Sequence, residues 1–162
     1  MKKINTLFLL FITCVCVSAQ DFCTHFLETY EDDHTDFTIV NITPSMLKMI
    51  TQMDITVNDA ELNSLLLGIN GFRIVTSENN SKSYYNSAKN LLLKQQYEEL
   101  VSVDKSTKNV RIFTKNTKDN VSSEVIMLVL EKGKMTLVDI IGKINLNQLA
   151  SLSTLMNAVE QQ

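Results

Sequence analysis

Glycine and proline are scarce, at four and one in 162 residues, which excludes collagen-like, proline-rich and mucin-like chains. With glycines only at Gly68, Gly71, Gly133 and Gly142, no Gly-rich loop able to cradle phosphate can be built. No Gly-x-Ser-x-Gly nucleophile elbow occurs either. Arginine is limited to Arg73 and Arg111, cysteine to Cys14, Cys16 and Cys23, and a long apolar run to the extreme N-terminus. What is present is an ordinary globular composition, 44% hydrophobic and 20% charged. That apolar content is too high for a mostly disordered chain, which could not bury enough surface to offset chain entropy.

The N-terminus reads as an export signal. Lys2 and Lys3 form a positive n-region, Leu7 to Val17 is apolar except for Thr13, and Val17, Ser18 and Ala19 supply the residues that a signal peptidase reads. Cleavage is expected between Ala19 and Gln20, giving residues 1-19 as signal peptide and 20-162 as a single domain. The apolar run falls short of the roughly 20 residues that span a bilayer, so no transmembrane span is expected after cleavage. None of the three cysteines stands in a good lipobox, since they follow Thr13, Val15 and Phe22. A soluble exported protein is expected rather than a lipid-anchored one.

Cleavage removes two lysines and no acid, taking the net charge from -3 to -5 and leaving 143 residues. A mildly acidic chain argues against nucleic acid and anionic membranes as partners, because both demand clustered Lys and Arg. Only Cys23 remains, so no disulfide framework is available. A buried or idle thiol is the expected state.

Along the mature chain, Phe22, Phe26, Leu27 and Tyr30 recur at helical spacing, predicting a short amphipathic helix over 21-30 that ends at the acidic run Glu31, Asp32, Asp33. Residues 37-42 read as a strand, and Thr43-Pro44 as the N-cap and first position of a helix over 45-53 with Met46, Leu47 and Ile50 buried. Asn58 and Glu61 suit a capping box for a helix carrying Leu62, Leu65, Leu66 and Ile69, ended by Asn70-Gly71. A strand over 72-76 and a helix carrying Tyr84, Tyr85, Ala88, Leu91 and Leu92 follow. From Tyr97 the period changes to 2, predicting four antiparallel strands over 98-103, 109-114, 123-131 and 134-144. Val125 to Leu130 predicts a central strand buried on both faces, Lys132-Gly133 a two-residue hairpin turn, and Leu149, Leu152, Leu155 and Met156 a closing helix. The fold class is α+β: an antiparallel β-meander packed against helices on one face, in a single compact domain.

The order of four motifs resembles the bacterial domain-of-unknown-function family 4252, small exported proteins of the Gram-negative envelope. They are Val40-Asn41-Ile42-Thr43-Pro44-Ser45-Met46-Leu47, Ile69-Asn70-Gly71-Phe72-Arg73-Ile74, Tyr97-Glu98-Glu99-Leu100 and Ile140-Ile141-Gly142-Lys143-Ile144-Asn145-Leu146. The resemblance implies a signal peptide, one compact domain and a place in the periplasm or cell envelope. It supplies no catalytic or binding residues. Some members look like lipoproteins, and the poor lipobox here departs from them.

Asp21, Cys23, His25, Glu28, Asp32, Asp33 and His34 crowd into fourteen positions. On a helix Asp21, His25, Glu28 and Asp32 share a face and could meet one cation, but Cys23 points elsewhere, and the stripe reads as the solvated side of a terminal helix. Cys23 with His25 or His34 lacks an identifiable orienting group for nucleophilic catalysis. Arg73 and Arg111 lie on strands and read as structural salt bridges or a solvated strand face rather than carboxylate grips. Asp139 interrupts an apolar strand and is expected at a solvent-facing or edge position. Tyr84 and Tyr85 are split between a protein-binding rim and the core. No catalytic, cofactor-binding or metal site and no cofactor is assigned.

The expected function is a non-enzymatic binding domain whose partner is another envelope protein, met through a sheet edge or an exposed apolar helix face. The alternative is a small-ligand carrier or hydrolase-like enzyme with a site between sheet and helices, using His25, His34 or Cys23. A deep polar cavity at that interface would favour the alternative, and a filled interface would count against it.

Overall fold

The computed structural model describes residues 21-30, 36-52, 64, 66-115 and 117-148. The expected signal peptide, the acidic run with His34, the proposed capping box at Asn58 and the closing helix from Leu149 lie outside them.

Six strands form one antiparallel sheet: β1 (Thr38–Ile42), β2 (Ile69–Ser77), β3 (Glu98–Asp104), β4 (Lys108–Lys115), β5 (Val121–Glu131) and β6 (Lys134–Asn145). Their order is β1-β2-β6-β5-β4-β3. The last four form the expected meander. Its hairpin at Lys132-Gly133 closes with positive φ at both residues, 49° and 78°, the geometry that matches strand twist. Asp119 and Asn120 turn β4 into β5 in the same way, with φ of 52° and 59°.

β1 and β2 join this meander on the far side of β6, so β5 and β6 lie at the centre. Alternation along them therefore separates two buried faces rather than a buried one from a wet one. On one face Ile126, Leu128, Met135 and Leu137 join Val75 and Phe113. On the other, Val125, Val138, Ile140 and Ile144 join Ile69.

The helices α1 (Phe22–Thr29) and α3 (Ser81–Lys94) cover the first face. α1 buries Phe22, Cys23, Phe26 and Leu27, and α3 buries Tyr84, Tyr85, Ala88 and Leu92. Tyr84 and Tyr85 thus both belong to the core rather than to a binding rim. Phe22, Phe26, Tyr30, Phe37, Tyr84 and Tyr97 form a continuous net of ring contacts with centroids 4.7 to 6.2 Å apart.

The helix α2 (Pro44–Gln52) packs differently, with Leu47 and the neighbouring Leu66 on the second face. The α+β class stands, with helical residues on both faces of the sheet. Thr43 caps α2 as expected, its Oγ1 accepting from the Met46 amide at 3.3 Å and its carbonyl from Leu47 at 3.0 Å. Met46 is exposed, however, while Leu47 is buried, and the expected burial of Ile50 lies outside what is described.

Two boundaries differ from the pattern-based reading for a shared reason. Ile69, Asn70 and Gly71 belong to β2, not to a helix end, and Gly71 has no positive φ. The helical residues stop at Gly68, where a Cβ would stand 2.5 Å from the Lys143 carbonyl oxygen. Across from it Gly142 has φ of 151°, in a bulged stretch of β6. Two glycines let the backbones meet so closely that β2 starts at once.

Candidate functional site

Asp139 is fully buried. Its alternation with Leu137 suggests a solvent-facing or edge position, but β6 is flanked by β2 and β5, and the face that Asp139 shares with Leu137 lies beneath α1. Glu124 of β5, which no sequence argument singled out, is buried on the same face. The two acids come together at the first turn of α1.

A helix leaves its first amides without intrahelical partners. In α1 the Phe22 N–H donates to Glu124 Oε1 at 2.8 Å, the Cys23 N–H to Asp139 Oδ2 at 3.0 Å, and the Thr24 N–H to Asp21 Oδ1 at 2.8 Å. Asp21 is thus a local N-cap, while the two other caps come from 102 and 116 residues away. The helix dipole favours negative charge at this end, and that offsets part of the cost of burying carboxyl groups.

The remaining contacts close the cluster. Tyr97 Oη donates to Glu124 Oε2 at 2.6 Å, and Lys115 Nζ lies 3.4 Å from Tyr97 Oη and over its ring. Arg73 Nη1 pairs with Asp21 Oδ1 at 2.9 Å and donates to Thr24 Oγ1 at 2.7 Å, while its Nε donates to Asn41 Oδ1 at 2.7 Å. Arg73 therefore acts as a structural tie among β1, β2 and α1. Asp139 Oδ1 has no partner among the described residues.

Burial, reinforced by the charge of Glu124, pushes the Asp139 pKa up to about 7, against the pull of the Cys23 amide. Burial likewise drives the Cys23 thiol and the Tyr97 hydroxyl far above their ordinary values, with Asp139 and Glu124 respectively adding to the shift. Cys23 is therefore a protonated, buried thiol and a poor nucleophile. Replacing Tyr97 with Phe leaves Glu124 short of its buried donor and should cost about 1 to 3 kcal/mol in urea-induced unfolding.

The metal-like stripe is not assembled among the described residues. Asp21 is committed to Thr24 and Arg73, Cys23 turns inward, His25 is half-buried, and Asp32 and His34 lie outside the described residues. No group of three or more His, Cys, Asp or Glu suited to a metal occurs among the described residues. Arg111 is also structural, paired with Asp104 at 2.7 Å and Glu99 at 3.4 Å beneath β3. Among the described residues no helix is long and apolar enough to cross a membrane.

A family model described as a domain of unknown function, DUF4252, matches residues 30–152. The chain belongs to the DUF4252 family. No curated protein and no solved structure matches it. The DUF4252 match takes in Arg73, Tyr97, Glu124 and Asp139 and begins just after α1. The acidic seat thus lies within the DUF4252 region, while the helix that occupies it precedes that region.

A second feature of this DUF4252 chain faces outward. Among the described residues β3 pairs only with β4, and all seven of its residues are exposed, including Leu100, Val101 and Val103. An edge strand with free backbone groups and apolar side chains can accept another strand. Sequence periodicity placed this strand correctly, but its edge position depends on a strand order that periodicity does not encode.

Proposed function

We propose that the protein is exported to the periplasm or cell envelope of a Gram-negative bacterium and works there without catalysis, binding an extended segment of another envelope protein along β3. The supporting observation is the exposure of the whole strand at a sheet edge that no other described strand covers, with Leu100, Val101 and Val103 available for contact. The signal-like N-terminus and the acidic balance of the remaining chain agree with export and with a protein partner. A site between sheet and helices has less support, because Phe22, Phe26, Leu92, Phe113, Ile126 and Leu128 fill that layer.

Native mass spectrometry of the protein recovered gently from its own envelope tests this reading. A mass beginning at Gln20 with a second protein at fixed ratio is the expected result. Replacing Leu100 and Val103 with Lys should abolish co-purification while changing stability little, since both side chains are already exposed. A diacylglyceryl adduct would overturn the soluble assignment. Turnover of a defined substrate by the purified protein, lost on changing one surface residue, would overturn the non-enzymatic one.

A further inference from the structure

We infer that α1 is a pH-sensitive clasp: ionisation of Asp139 beside Glu124 loosens the first turn of α1 from the sheet and opens the core beneath it. Eight residues make too short a helix to persist alone in water. α1 is held by its apolar face and by two caps from β5 and β6, so a second buried charge at those caps, costly in lost hydration and in repulsion between Asp139 and Glu124, is relieved by lifting the helix. Phe22, Cys23 and Phe26 are fully buried while it is docked.

The groups facing Asp139 set the direction. α1 and its cap bring Cys23 and Asp21, β2 brings Arg73 directly across the register, and β5 brings Glu124. Tyr97, between α3 and β3, bonds Glu124, and Lys115 of β4 sits on Tyr97. Arg73 is shared with Asp21, Thr24 and Asn41, so its compensation of a second buried negative charge is partial. Asp139 Oδ1 accepts from no donor among the described residues, so a charge on it is not further compensated there.

The docked form holds a proton on Asp139 that the undocked form, with Asp139 in water, releases above the ordinary carboxylate range. Docking therefore weakens as pH rises from the ordinary 3.8 toward about 7 and levels off above that. This is opposite in sign to a salt-bridged carboxylate, which gains stability as pH rises from its depressed pKa to the ordinary value.

Hydrogen exchange of the full chain, corrected for intrinsic chemical rates and read on the segment 22–30 between pH 5 and 9, tests the clasp. The opening constant should rise up to about tenfold per pH unit below pH 7, one proton being released, and then reach a plateau. Asp139→Asn should give a flat profile, and Glu124→Gln should bring the plateau to lower pH. If Asp139→Asn does not fold, the displacement in Glu124→Gln is the deciding readout. A flat wild-type profile, an unchanged slope in Asp139→Asn, or protection of β5 and β6 falling in step with α1 would each overturn the proposal.

Discussion

Phe26→Ala should destabilise the protein by about 3 to 5 kcal/mol, the range for emptying an aromatic site in a core. Phe26 is fully buried, and its ring meets those of Phe22, Tyr30 and Phe37 with centroids 5.2 to 6.1 Å apart. Those neighbours come from α1 itself and from the approach to β1, so the cavity cannot close without shifting the seat of the helix. Urea denaturation at constant pH measures the loss. Met46→Ala serves as the comparison, because Met46 is half exposed and should change stability by no more than about 0.5 kcal/mol. Comparable losses at the two positions would mean that α1 is not packed as described.

Gly142→Ala is the second large effect. A Cβ at Gly142 would stand 2.2 Å from the Gly68 carbonyl oxygen and 2.9 Å from both the Asn70 nitrogen and the Ile69 Cα, all of them backbone atoms. The residue also has φ of 151°, which side-chain-bearing residues rarely adopt. Overpacking and backbone strain each cost about 1 to 3 kcal/mol, and neither is relieved by turning a flexible side chain aside. A loss of at least about 2 kcal/mol in chemical denaturation is expected. Gly71→Ala should be nearly neutral: its Cβ would meet Ile141 at an ordinary 3.6 Å, and its φ is unexceptional. The two substitutions distinguish a glycine required by close backbone approach from one that merely occupies a strand.

Period-2 alternation located the four strands after Tyr97 to within one or two residues, and the unbroken Val125 to Leu130 identified β5 as central. Alternation reports which residues share a face, but it does not report what covers that face. It therefore points to a solvent-facing or edge position for Asp139, although β1 and β2 close that side and α1 lies above it. Glu124 escaped notice because one acid near the start of a strand resembles an ordinary boundary. An acid within each of two apolar strands that form one hairpin was the available signal. The Gly68–Gly142 contact joins segments far apart in the sequence, so no local pattern encodes it.

The seat of α1 also bears on the order in which the molecule is built. α1 leads every other described element in the chain, yet its first two amides find their acceptors 102 and 116 residues later, on strands that come last. Contacts of such long separation form late, after the intervening chain has been ordered. The ringed apolar face of Phe22 and Phe26 must therefore wait, unshielded, until β5 and β6 have paired. Of the described elements the first to emerge is thus the last to settle, and its apolar face stays open to other contacts while the rest of the sheet is made.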